Sequence, residues 1–227
     1  MQLELIINRL EMLANDKLKK NYLQRGAVEP IYGVAIKDLK PIYKEIKGNN
    51  KLAFELYNTK NYDCMYLAGM ILDVSTVTKC DILNWLENSN SNMVIDFIIS
   101  VSLAECPFAL ELVLELIESP KETFRRCAYY TLSWFVEWMR NENINKEILI
   151  DILDKVSKIY NTETESVKEG IAAFLYSLTV SYIPLSKKGL EVVNAIYSKD
   201  KTFLTFNKVM DSLDSNKLGF KRKSVRC

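Results

Sequence analysis

Apolar residues return at helical spacing from one end of this chain to the other, and that pattern leaves little room for anything but a helical fold. Leu3, Ile6, Ile7, Leu10 and Leu13 make one apolar face, and Leu52, Leu56, Tyr62 and Leu67 belong to the next well-marked pair of helices. Ile82, Leu83 and Leu86 mark a short helix, and Leu110, Leu112, Val113, Leu116 and Ile117 another. Further faces follow at Ile148, Ile152, Val156 and Ile159, at Ile171, Phe174, Leu175 and Leu178, and at Leu190, Val193 and Ile196. Ser119-Pro120-Lys121-Glu122 reads as a helix start, with Ser as N-cap, Pro at the first position and Glu three residues after the cap. The helix it opens, through about Trp138, is apolar nearly all round and is expected to be central. Breakers such as Gly48-Asn49-Asn50, Asn88-Ser89-Asn90-Ser91 and Pro184 separate the segments. The pattern predicts an all-α solenoid of about a dozen helices, paired at a period of roughly 40 residues. Thr202–Phe206 and the last ten residues could each form a short strand, giving at most one β-hairpin.

The composition narrows the chemistry. With 227 residues and only 7 glycines and 5 prolines, the chain is read as a single domain over 1–227 ending in a basic tail, 217–227. Net charge is +1, so any nucleic-acid surface must be a local patch. Histidine is absent, which removes His general bases, Ser-His and Cys-His pairs and the usual His-containing zinc sites. No metal and no cofactor are expected. Cys64, Cys80, Cys106, Cys127 and Cys227 are widely spaced, without a C-x-x-C pair, and read as reduced core residues plus a terminal thiol. The N-terminal residues read as a first helix rather than a signal peptide, and no run is long and apolar enough to span a bilayer, so the expectation is a cytoplasmic monomer.

Asp96 interrupts the apolar run Met93-Val94-Ile95-Asp96-Phe97-Ile98-Ile99. A carboxylate among aliphatic side chains is costly unless it is paired, hydrogen-bonded or in a cleft, so it is the first candidate for chemistry. The plainer reading makes it a helix-start carboxylate: with Ser91 or Asn92 as N-cap, it lies in the second turn, within favourable reach of the helix dipole.

Cations gather in four places. If Asp38 caps a helix, Pro41 falls in its first turn and Lys40, Lys44 and Lys47 line one face, opposite Leu39, Ile42, Tyr43 and Ile46. Arg125 and Arg126 sit in the first turns of the central helix, where the dipole disfavours them, which points to a purpose other than helix stability. Lys168 and Lys187-Lys188 follow, and the tail carries Lys217, Lys221, Arg222, Lys223 and Arg226. Each group is either a solvated face or a row of phosphate contacts.

Several stretches resemble a known family. Tyr32-Gly33-Val34 through Leu39-Lys40, Leu52-Ala53-Phe54-Glu55-Leu56-Tyr57 and Asn61-Tyr62-Asp63-Cys64-Met65-Tyr66-Leu67-Ala68 are similar to the N-terminal half of AlkD-like DNA alkylation repair proteins. Phe124-Arg125-Arg126-Cys127-Ala128 and the ending Gly219-Phe220-Lys221-Arg222-Lys223-Ser224-Val225-Arg226-Cys227 resemble the same family, nearest its AlkF/AlkG-like branch. The resemblance implies a HEAT-like repeat solenoid that grips DNA in a basic concave groove. In active members 3-methyladenine or 7-methylguanine is released. An N-alkylated purine is already a cationic leaving group, so the site need only stabilise an oxocarbenium sugar and position water. Residue by residue, Asp96 falls on the catalytic Asp and Arg126 on an Arg that contacts DNA. Asn92 and Ala173 fall where the family carries aromatic residues, so the carboxylate is kept and its aromatic walls are not. Trp85, Trp134 and Trp138 could replace them, though the last two lie on the central helix.

The reading that follows is a DNA-binding protein, gripping duplex, damaged or branched DNA through phosphates, with little or no glycosylase activity. Two alternatives stand beside it. One is an active alkylpurine glycosylase in which Asp96 stabilises the oxocarbenium, and the other is a helical-repeat scaffold for protein partners.

Overall fold

Every element of the computed structural model is helical among the residues it describes, 2–139, 144–203, 205–215 and 219. Polar caps explain where the elements begin. Asn15, Asn49, Asn61, Thr78, Ser91, Asn145 and Thr164 each accept a backbone N–H from the first turn of the helix they precede. Each such cap stabilises its helix by about 1 kcal/mol.

The residues group into two compact units, Met1–Leu112 and Val113–Cys227. The first holds α1 (Gln2–Met12), α2 (Asp16–Gln24), α3 (Ile36–Ile46), α4 (Asn50–Asn58), α5 (Tyr62–Ile71) and α6 (Lys79–Glu87). α7 (Asn92–Val94) then runs through a π-helical turn, Ile95–Ile99, into α8 (Ser100–Ala104). α9 (Ala109–Ile117) carries the boundary. α5 is the centre of this unit. All its residues but Tyr66 are buried, and it packs against α1, α3, α4 and the π-helical turn.

Asp63 on α5 also builds the loop between α2 and α3. Its carboxylate accepts the backbone N–H groups of Tyr32 at 2.6 Å, Gly33 at 2.9 Å and Val34 at 2.8 Å. Gly33 has φ +81°, and a Cβ there would overlap the Lys19 amide nitrogen and the Asn15 carbonyl oxygen. Only glycine fits that position. The Tyr32-Gly33-Val34 and Asn61–Ala68 stretches are therefore two halves of one structural joint.

The second unit holds α10 (Glu122–Trp138), α11 (Lys146–Ile159), a 3₁₀ turn (Tyr160–Thr162), α12 (Glu165–Ser181), α13 (Ile183–Lys199) and α14 (Thr205–Asp214). α10 and α12 form its core. At Gly170 a Cβ would lie 3.1 Å from the Arg126 carbonyl oxygen, so the small residue permits their close crossing.

Five expectations change. α10 begins at Glu122 rather than at Pro120. The Ser119 hydroxyl accepts the Lys121 N–H in a turn ahead of the helix, and no side chain caps α10 itself. α3 begins at Ile36, so Asp38 is inside it and Pro41 is mid-helix. Thr205 and Phe206 open α14 instead of ending a strand. Cys80 is exposed at the start of α6, unlike buried Cys64, Cys106 and Cys127. Leu13, expected on the face of α1, lies beyond its end and is 37% exposed. The last ten residues, the other candidate strand, lie outside the described residues apart from Gly219. No described helix is long and apolar enough to cross a membrane.

Candidate nucleic-acid interface

Asp96 lies where the Ser91 cap predicts, in the second turn. The Ser91 hydroxyl accepts the Val94 N–H, and the helix continues into the π-helical turn, closed by the Ser100 N–H to the Ile95 carbonyl. Asp96 is 4% exposed, among buried Val94, Ile95, Ile98 and Ile99. π-helical turns are uncommon and recur at functional sites, because the extra residue re-aims the side chains around it. Asn92, at the first helical position, is exposed. Phe97 is half-buried, and the Arg25 guanidinium stands 6.0 Å from its ring centre. Arg25 follows the end of α2, where no pattern in the sequence marks it.

The lysine stripe forms as expected even though its helix starts early. Lys40, Lys44 and Lys47 are exposed, while Leu39, Ile42 and Ile46 are buried. Glu45 beside the stripe is held by Arg9, whose Nη1 donates at 2.6 Å.

In the second unit the adjacent arginines do different things. Arg125 donates to Glu163 through Nε at 3.1 Å and Nη2 at 2.9 Å, and through Nη1 to the carbonyls of Ser119 at 2.8 Å and Pro120 at 3.0 Å. Its position at a helix start is thereby explained: it gathers the carbonyls that follow α9. Arg126 is 3% exposed, with Nη1 2.7 Å from the Glu169 carboxylate and 2.7 Å from the Ser166 carbonyl. Its guanidinium carbon lies 5.0 Å from the centre of the Tyr130 ring. Lys168 pairs with Glu165 at 2.7 Å, and Lys188 with Asp154 at 2.8 Å.

Beside Arg126 opens a cleft of about 550 Å³. Glu165, Lys168, Glu169, Ala172, Ala173 and Tyr176 line it from one face of α12, the i, i+3, i+4, i+7 stripe of a helix. Tyr130, Tyr160, Asp200, Thr202, Phe203, Thr205 and Lys208 complete the walls. Tyr160 and Phe203 are buried edge to face at 5.2 Å, and burial pushes the Tyr160 hydroxyl up to about 12. The Thr202 hydroxyl and N–H, at 2.6 and 2.9 Å, hold the Asp200 carboxyl below its ordinary range, with Lys168 adding to the effect. Ala173, expected from the resemblance to fall on a family aromatic position, is thus set in a cleft with aromatic walls. Sequence reasoning missed the tyrosines around it.

Of the tryptophans, Trp85 is core, stacked on Tyr57 at 4.3 Å. Trp134 and Trp138 are half-buried, with ring centres 5.2 Å apart. Lys221, Arg222, Lys223 and Arg226 lie outside the described residues. The chain just before them is placed by Gly219, whose N–H donates to the Val180 carbonyl at 2.7 Å near the end of α12.

A buried carboxylate in a π-helical turn, an exposed lysine stripe and an aromatic cleft beside a buried arginine, all carried on helices, define a class: helical-repeat proteins with polar surfaces. The family model of the DNA alkylation repair enzymes matches residues 6–182, and the chain belongs to that family. It is also similar to a solved structure from a new family of proteins related to the HEAT-like repeat DNA glycosylases with affinity for branched DNA structures. The two share 31% identity over 100% of each chain with a TM-score of 0.92, and the fold is of the HEAT-like repeat kind. No curated protein matches.

Proposed function

We propose that this protein binds DNA through its backbone phosphates, prefers branched DNA, and has little or no glycosylase activity. The observation that carries the reading is the full-length likeness to a relative with affinity for branched DNA structures. Exposed Lys40, Lys44 and Lys47 supply three phosphate contacts from one helix face. Lys168, whose carboxylate partner is 88% exposed, can exchange that partner for a phosphate. Lys221, Arg222, Lys223 and Arg226 are assigned the same role. Arg125 leaves the set, because protein groups already engage its guanidinium. Arg126 is given the task of holding the cleft rim.

Catalysis is disfavoured by the side chains at two positions. Exposed Asn92 and half-buried Ala173 offer no π-face to a developing oxocarbenium ion, so Asp96 would have to work without the cation–π support that the active members use. The test is a salt titration of the full chain against a three-way junction and a duplex of equal length, alongside a base-release assay on methylated DNA. Tighter junction binding that weakens steeply with salt, with no release above background, is the expected result. Absence of binding to either DNA at low salt defeats the reading.

A further inference from the structure

We propose that the cleft on the α12 face receives a single unpaired nucleobase from a DNA branch point or gap. The proposal rests on the DNA-binding reading above and adds a ligand to a cleft at which that reading places only the phosphate contact of Lys168. The volume of about 550 Å³ falls inside the range of roughly 300–1,000 Å³ typical of small-molecule sites. Ala172 and Ala173 form a low floor in the middle of the helix face, flanked by half-buried Tyr130 and Tyr176. The Tyr176 hydroxyl is held by Ser212 Oγ at 3.0 Å, and Arg126 braces Tyr130, so neither ring is free to collapse inward.

Charge decides what kind of ligand fits. Glu165, Glu169 and Asp200 stand against Lys168, Lys208 and the Arg126 bound to Glu169, three anions to three cations. A balanced site of this kind does not attract a bare phosphate. It suits a planar, neutral group with hydrogen-bonding edges, which stacks on aromatic rings and meets carboxylates through its N–H hydrogens, the ring imide of thymine included. Exposed Lys208 at the rim is placed for the phosphate next to such a base. A fully paired duplex offers no base of this kind, whereas a branch point does, so the cleft supplies a physical reason for a preference between them.

The experiment measures the affinity of the full chain by fluorescence anisotropy for three DNAs. One is a three-way junction with one unpaired thymidine at the branch, the second carries an abasic tetrahydrofuran there, and the third is a fully paired duplex. Wild type is expected to prefer the thymidine over the abasic junction by about 5-fold to about 150-fold, the range of a single base–aromatic stack. Ala173→Leu, which fills the floor, brings that ratio to near one. Tyr176→Ala does the same by removing a wall, and thermal melting checks that each variant is folded. Equal affinity of wild type for the two junctions overturns the cleft assignment while leaving DNA binding intact. A ratio that persists in either folded variant overturns it as well, by placing the base elsewhere. Failure to bind any of the three DNAs overturns the parent reading, and the cleft assignment with it.

Discussion

Two aspartates of the first unit are almost equally buried and could hardly be used more differently. Asp63 is 1% exposed and Asp96 4%. Asp63 ends in a ring of backbone donors from Tyr32, Gly33 and Val34, so its charge is spent on holding a loop to α5. Asp96 is buried in a π-helical turn, next in the chain to a half-exposed Phe97. Burial by itself does not mark a functional carboxylate. What surrounds the oxygens does, and a ring of main-chain N–H groups is the signature of a structural joint.

The largest effect should come from breaking that joint. Asp63→Ala leaves three buried N–H groups without an acceptor, which costs about 4 kcal/mol and lowers the melting temperature by about 8–16 °C. Gly33→Ala should approach the same loss through backbone overlap. Proton linkage sharpens the point. Burial raises the Asp63 carboxyl above the ordinary carboxylate range, although its N–H bonds pull the other way. The native state therefore takes up a proton before the unfolded chain does. Stability from this group is fully present below the unfolded Asp value and is lost as pH rises through the folded one. The difference in denaturant midpoint between wild type and Asp63→Asn should accordingly move in favour of wild type as pH falls from neutral to about 4.5. Asp200, held low by Thr202, has the opposite sign: its contribution is present above the ordinary Asp value and is lost as pH falls through the depressed one.

The second unit repeats the contrast with cations. Glu163, the partner of Arg125, is 11% exposed, whereas Glu169, the partner of Arg126, is 63% exposed. Glu163→Gln should destabilise the fold by about 2 kcal/mol, since it leaves a part-buried guanidinium without its counter-charge. Glu169→Gln should cost less, about 1 kcal/mol, because water reaches the Glu169 side of the pair and the Ser166 carbonyl still accepts from the buried Arg126 guanidinium. It should also raise DNA affinity by removing an anion from the cleft rim. Chemical denaturation and anisotropy on the same two proteins check this, and a larger stability loss at Glu169 would reverse the assignment.

Much of this is legible in the chain alone. Helix periodicity assigns α4, α9, α11, α12 and α13 their buried faces, because apolar spacing directly reports which side of a helix is dry, whereas α5 is buried nearly all round. The lysine stripe holds despite a misplaced helix start, since shifting the start leaves the 3.6-residue phase unchanged. Other features are hidden for physical reasons. Asp63 follows a capping Asn at a helix start, a place where an aspartate attracts no notice, and its donors lie some thirty residues upstream. Ser119 resembles a cap because an isolated Ser-Pro-x-Glu cannot reveal that its hydroxyl serves a turn instead. The cleft joins residues from Tyr130 to Lys208, so no local pattern shows it, although charged, small and aromatic residues do alternate along α12.

A smaller effect, confined to binding, tests the stripe. Replacing Lys40, Lys44 and Lys47 together with Gln should leave the melting temperature unchanged, because all three are exposed. The slope of log affinity against log salt should fall by roughly 2 to 3, about 0.9 for each duplex phosphate that a lysine no longer neutralises. An unchanged slope would mean that the stripe is a solvated face and that the phosphates are met elsewhere.

The smallest expected effect belongs to Asp96. Asp96→Asn keeps the shape of the side chain and removes one negative charge that is nearly shielded from water. If Asp96 is not catalytic, junction affinity should change by less than about twofold, because Asp96 belongs to none of the proposed phosphate contacts. Methylated-base release should stay at background in both proteins. Release by wild type that falls at least about tenfold in Asp96→Asn would break the comparison, since a loss of that size is what an electrostatic stabiliser of an oxocarbenium ion contributes. The two aspartates would then differ as a joint differs from an active site, and Phe97 with Arg25 would be the first place to look for the aromatic support that Asn92 and Ala173 lack.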